Sequence, residues 1–150
     1  MNRIKWVDKK NMLCCVEAGI KGQDLERKLR KYGVMTGMVP DSLEFSTAGG
    51  WVSTNASGMK KNCYGNIDDM LVNVRLVTTE GVVKKEHNTP RVSSGPDICK
   101  MILGSEGNFG IITDIVLRVR PLFEVRMYNS IIFPDFDHGL AFMREMGQSG

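Results

Sequence analysis

Two stretches of this sequence carry the residue types through which a main chain can hold a ligand. The first is Pro40-Asp41-Ser42-Leu43-Glu44-Phe45-Ser46-Thr47, then Ala48-Gly49-Gly50-Trp51, then Val52-Ser53-Thr54-Asn55-Ala56-Ser57-Gly58. Small and hydroxyl-bearing residues crowd there without the Lys and Glu of an ordinary surface loop. A backbone stripped of bulk can approach a ligand closely, and its N–H groups and hydroxyls then serve as donors. The second is Gly104-Ser105-Glu106-Gly107-Asn108-Phe109-Gly110, with three glycines in seven residues. Both stretches suit backbone-mediated binding, although loops that are merely tight would look the same.

No nucleophile or acid–base constellation accompanies them. His87 lies in a polar loop and His138 at the start of the last predicted helix, and both read as surface histidines. Asp68-Asp69 precedes a strand and reads as a turn and cap. Glu106, inside the glycine loop, is the one acid worth following. The cysteines are Cys14, Cys15, Cys63 and Cys99, with no C-x-x-C and no nearby histidine, so the spacing argues against zinc. Cys14 and Cys15 are neighbours in an apolar run; on a strand they point to opposite faces and pack. A reducing compartment fits this usage. Neither G-x-x-x-x-G-K-[ST] nor G-x-G-x-x-G occurs, which removes the P-loop and Rossmann readings.

The 150 residues, with 42% hydrophobic and 25% charged side chains, are ordinary globular composition. Twenty Lys and Arg against seventeen Asp and Glu give +3, too little to argue for nucleic acid. The pairs Lys9-Lys10, Lys60-Lys61 and Lys84-Lys85 read as solvated ends and turns. No apolar run exceeds five residues (Met12 to Val16), which is too short to span a bilayer. The first residues lack the apolar stretch of a signal peptide, and Gln148-Ser149-Gly150 is no peroxisomal tripeptide.

The pattern predicts α+β architecture. Leu13 to Glu17 reads as a buried strand ending at Gly19. Gly22 to Gly33 reads as a helix with Leu25, Leu29 and Tyr32 on one stripe and Gly33 as its stop. Thr47 to Ala56 reads as a short small-faced helix. Leu71 to Val77 and Val82 to Lys85 form a hairpin turned at Gly81. Pro90 to Pro96 is loop, and Asp97 to Leu103 a short helix capped near Ser94 or Asp97. Ile111 to Val119 is a strand ended by Arg120-Pro121, a boundary candidate. Met127 to Phe133 reads as a further strand, and Phe136 to Met146 as a helix.

Pro40-Asp41, Thr47, Gly49-Gly50, Thr54 to Gly58, Tyr64-Gly65 and Gly104-Ser105-Glu106-Gly107 together resemble the flavin-binding half of the PCMH-type, vanillyl-alcohol-oxidase flavoproteins. The longer blocks 40–69, 91–98 and 102–113 narrow the resemblance to the alkyldihydroxyacetonephosphate synthase family, over nearly the whole chain. The resemblance implies FAD as cofactor. It implies contacts from Asp41, Ser42, Leu43, Glu44, Phe45, Ser46 and Thr47 along the flavin, from Thr54, Asn55, Ala56 and Ser57, and from Glu106, Gly107, Asn108, Phe109, Gly110, Ile111 and Ile112 around it. Asn55, Asn108 and Phe109 stand where the family pattern has Arg, Thr and Leu. Residues 1–121 would be an FAD-binding domain lacking its N-terminal pyrophosphate loop, and 122–150 the start of a substrate-binding cap. No catalytic residue of the family maps onto this chain.

The reaction so implied exchanges the acyl group of acyl-dihydroxyacetone phosphate for a long-chain fatty alcohol in ether lipid synthesis. The resemblance further implies a peroxisomal enzyme with peripheral membrane contact and a homodimer. The fragment alone would be inactive and colourless. The alternatives from the same residues are an FAD-dependent 2-hydroxy-acid oxidoreductase, akin to D-lactate dehydrogenase, and a non-catalytic fragment.

Overall fold

The apolar run at residues 13–16 is buried along its whole length. In a computed structural model, residues 1–148 are described; Ser149 and Gly150 of the expected cap segment lie outside them. The strands are β1 (Ile4–Asp8), β2 (Leu13–Glu17), β3 (Val34–Met35), β4 (Leu71–Thr78), β5 (Gly81–Val83), β6 (Ile111–Arg118) and β7 (Arg120–Pro121). The helices are α1 (Gly22–Arg30), α2 (Ala48–Ser53), α3 (Lys61–Tyr64), α4 (Ile67–Met70), α5 (Ile98–Ile102) and α6 (Phe136–Gln148). Five strands form one antiparallel sheet in the order β1-β2-β6-β4-β5, as the α+β reading requires.

Register explains the two faces of the sheet. Cys14 pairs with Leu117, Cys15 with Val116 and Val16 with Ile115. Successive side chains on a strand point oppositely. Cys14, Val16, Ile115 and Leu117 therefore join the main core with Leu25 and Leu29 of α1 and Trp51 and Val52 of α2. Leu13, Cys15, Val72 and Val116 form a second cluster on the other face. The adjacent cysteines thus pack on opposite sides, both as free thiols. Each large side chain buried in this way contributes roughly 1.5–3 kcal/mol relative to exposure.

Leu25 and Leu29 are fully buried, but Tyr32 is exposed. The helix ends at Arg30, so Tyr32 sits in the following turn, off the helical stripe. Gly33, at φ +73°, makes the expected stop. Pro121 does not end the pairing: β3 and β7 form a two-stranded ribbon with Val34 opposite Pro121. An edge position tolerates the missing N–H of proline. The hairpin turns at Gly81, and Asp97 caps α5 by accepting from Cys99 N. Lys85 is not a solvated lysine; its half-buried ammonium donates to Val72 O at 3.0 Å.

Residues 127–133 are not a strand. Among the described residues no strand lies alongside to supply ladder hydrogen bonds, and Met127, Tyr128, Ile131 and Ile132 are exposed. α6 forms as expected, with no buried residue. β1, β3, α3 and α4 were not legible as separate elements.

Candidate functional site

α2 is short, and its neighbours hold it in place. Thr47 precedes it in extended conformation, and its Oγ1 accepts from Gly50 N at 3.1 Å, an N-cap. Ala48 N donates to Ile20 O at 2.9 Å and Gly49 N to Ala18 O at 2.8 Å. A Cβ at Gly49 would fall 2.6 Å from the Ala18 Cβ. Only glycine lets the helix ride this closely on the end of β2.

The far end of α2 meets the second glycine-rich stretch. Gly104 N donates to Val52 O at 3.1 Å, and Glu106 N to Ser53 O at 2.9 Å. The loop thereby satisfies carbonyls that a helix end leaves orphaned. Glu106 adopts φ +49° and Gly107 φ +86° as the loop turns. Two segments some fifty residues apart in sequence are joined backbone to backbone.

Between them opens a cleft of about 380 Å³. Of the expected site residues, Thr47, Glu106, Gly107, Gly110, Ile111 and Ile112 line it. Gly49, Gly50 and Ser53 complete the α2 wall, and Ala18, Gly19 and Met1 close the third side. Ala18 and Gly19 escaped the sequence reading as site residues; the signal was their small size immediately after a buried strand. Met1 is held there by the start of β1, where Arg3 donates from Nε and an Nη to Glu17 Oε1 at 3.1 and 2.8 Å. These hydrogen bonds bring the buried Glu17 carboxyl down to about 2.

The remaining expected residues stand around the cleft rather than in its wall. Asp41 to Ser46 form a turn beside α2, with Asp41, Ser42, Glu44 and Phe45 exposed. Leu43 packs against the main core. Thr54, Asn55, Ala56 and Ser57 lead away from α2 toward α4. The Thr54 hydroxyl donates to Gly50 O at 2.9 Å and the Ser57 hydroxyl to Asn66 Oδ1 at 2.8 Å. Asn108 and Phe109 are exposed at the tip of the glycine loop.

The expected role of the first stretch as a row of donors needs revision. The N–H groups of Ala48, Gly49 and Gly50 are all bonded within the protein, because they fasten α2 to β2 and to its cap. What the wall offers is flatness. A Cβ at Gly107 would meet nothing within 4 Å, so glycine leaves that volume to the cleft. Two hydroxyls flank the flat surface, Thr47 accepting from Gly50 N and Ser53 donating to Gly50 O at 3.1 Å. Such a surface fits the face of a planar ring system or the edge of a nucleotide. The donors for a pyrophosphate are not among the α2 amides.

Other titratable groups stay outside this chemistry. His87 and His138 are both exposed, and His138 Nδ1 pairs with Asp135 at 2.7 Å. Asp69 accepts from Asn66 N at 2.9 Å, the capping role expected of the acidic pair. Burial pushes the Cys14 thiol up to about 12 and raises Cys15 and Cys99, so none of the three is a ready thiolate.

Residues 1–85, which contain the α2 wall, match the FAD binding domain family. The chain belongs to that family. The flat, glycine-walled surface suits the planar part of that family's cofactor. Thr47, Gly49, Gly50, Ser53, Gly107 and Ile111 line that surface.

Within and beyond that family domain the similarity runs along the chain. An alkyldihydroxyacetonephosphate synthase of Caenorhabditis elegans is 49% identical over 97% of this chain and 24% of its own length. One from Dictyostelium discoideum is 41% identical over 99% of this chain and 24% of its own length. A solved structure of alkyldihydroxyacetonephosphate synthase superposes with a TM-score of 0.85 at 38% identity, covering 99% of this chain and 27% of that one. The chain thus spans about a quarter of the length of the proteins it matches.

Proposed function

We propose that this sequence forms the flavin-facing part of an alkyldihydroxyacetonephosphate synthase. One observation carries the reading: the two glycine-rich stretches, which resemble that family motif by motif, are fastened together and wall a single open cleft. The reaction is an exchange. The bond between the glycerone carbon and the acyl oxygen of acyl-dihydroxyacetone phosphate breaks, and fatty acid leaves. A long-chain fatty alcohol then supplies the oxygen of the new ether and loses its proton. No net oxidation occurs.

When bound, FAD supplies the electrophilic centre for this exchange. The part played by these residues is placement. The flat wall at Gly49, Gly50 and Gly107 would let the planar cofactor lie close against the backbone. The Thr47 hydroxyl, already accepting from Gly50 N, still carries a proton to donate. Ile111 and Ile112 present apolar surface on one side of the cleft. Peroxisomal residence, membrane contact and a homodimer belong to the same proposal and rest on the resemblance.

The decisive test incubates the protein, expressed at the full length of its gene, with FAD, palmitoyl-dihydroxyacetone phosphate and hexadecanol. Flavin absorbance on the purified protein and formation of the alkyl ether with release of palmitate are expected. Oxidation of D-lactate without ether formation would overturn the proposal in favour of a 2-hydroxy-acid oxidoreductase.

A further inference from the structure

We propose that Trp51 is a positioning residue for the flavin wall, acting through Ser46 to hold the 41–46 turn beside the cleft; the inference rests on the flavin reading above. Trp51 is 2% exposed. Its ring is wedged between the helices, since a Cβ at Gly22 would fall 2.4 Å from the indole Cζ2. Its one polar atom, Nε1, donates to Ser46 Oγ at 2.7 Å. Ser46 Oγ in turn donates to Ser42 O at 2.9 Å. A buried indole N–H needs such a partner, and losing it leaves a desolvated donor or acceptor behind.

The turn so held has two further anchors, both on its inner side. Gly22 N donates to Ser46 O and Gln23 N to Leu43 O, each at 3.0 Å, so the turn caps the start of α1. Its outer side chains, Asp41, Ser42, Glu44 and Phe45, face solvent, and Phe45 is 78% exposed. The relay fixes residue 46, and residue 47 is the α2 cap whose side chain lines the cleft. The indole N–H therefore sets where the Thr47 hydroxyl stands relative to a bound cofactor. Packing alone would need the ring but not its nitrogen.

The test separates ring from nitrogen in the full-length protein. Trp51→Phe keeps an aromatic ring in the wedge and removes the N–H. Ser46→Ala removes the acceptor, and Ser46→Thr keeps a hydroxyl. FAD affinity is measured by fluorescence titration, together with the visible spectrum of bound flavin and amide exchange of residues 42–47 in flavin-free protein. Trp51→Phe and Ser46→Ala are each expected to weaken FAD about tenfold and to speed exchange of the turn. The double variant should be no worse than either single one, and Ser46→Thr should retain affinity.

Wild-type affinity and spectrum in Trp51→Phe would overturn the relay, as would losses that simply add in the double variant. Should Trp51→Phe fail to fold, Ser46→Ala alone decides. Failure of the wild-type protein to take up flavin overturns the cofactor reading itself, and this inference with it. Normal uptake by wild type and by both variants overturns only the relay.

Discussion

Leu71–Val77 and Met127–Phe133 are similarly apolar, and on residue type alone both are strands. The first became an interior strand of the sheet, with β6 on one side and β5 on the other. The second has no ladder and leaves Ile132 at 95% exposure. The difference is not propensity. β4 is flanked by two segments whose registers bury Val74 and Leu76 in the main core and Val72 in the second cluster. Residues 127–133 have no such flank among the described residues. An extended backbone is held by what pairs with it, and that partner is a property of the fold rather than of the local sequence.

The sharpest way to break this comparison is a matched pair of truncations. Leu117→Ala empties a fully buried position of β6 and is expected to destabilise by about 2–5 kcal/mol. Ile132→Ala removes a side chain of equal size and is expected to change stability by less than about 0.5 kcal/mol. Urea unfolding of the two variants measures both. A loss of several kcal/mol from Ile132→Ala would show that the 127–133 segment packs in solution.

A second contrast lies within the cleft, between two of its glycines. Gly49→Ala places a methyl 2.6 Å from the Ala18 Cβ, so α2 must move off β2; overpacking of this kind costs about 1–3 kcal/mol. At Gly107 the same change meets no atom within 4 Å, and only the φ of +86° opposes it. That strain is about 1–2 kcal/mol. Thermal unfolding should rank Gly49→Ala below Gly107→Ala. Flavin affinity should fall in both, in the second because the methyl occupies volume left to the cofactor. Equal stability with unchanged affinity at Gly107 would remove it from the wall.

Thr47→Ala tests the cap alone. Losing the acceptor for Gly50 N should cost about 1 kcal/mol, and Thr47→Ser should restore it. Urea midpoints of the three proteins read this directly.

Much of this is legible in the sequence. The helical spacing of Leu25 and Leu29, the alternation of β4, the Gly81 turn and the two glycine-rich stretches each follow from short-range chemistry. What escaped depended on distant partners. Tyr32 fits the stripe on paper, but the helix stops two residues earlier. β1, with Trp6 and Lys5 facing outward, shows no buried run, because only one of its edges is paired. At the site, the sequence pointed to small residues. It did not show that the α2 amides are consumed in fastening α2 to Ala18 and Ile20, since those contacts join residues about thirty positions apart.

The smallest effect, because the Arg3 side chain is 80% exposed and its ion pair is screened by water, concerns how Met1 is tied beside the cleft. The Glu17 carboxyl ordinarily titrates at 4.5 and is brought down to about 2 by the Arg3 side-chain and main-chain hydrogen bonds. A carboxyl depressed in the folded state contributes stability that is fully present above its ordinary value. That contribution is lost as pH falls from about 4.5 toward 2, because the unfolded chain takes up the proton first. Glu17→Gln cannot titrate. The urea midpoints of wild type and Glu17→Gln should therefore differ near neutral pH, with wild type the more stable, and converge as pH drops through the window between 4.5 and 2. A difference that stays constant across that window would show that Arg3 does not hold Glu17 in solution. The segment carrying Met1 to the cleft would then be held by main-chain contacts alone, the β1–β2 ladder and the bond from Glu17 N to Arg3 O at 2.9 Å.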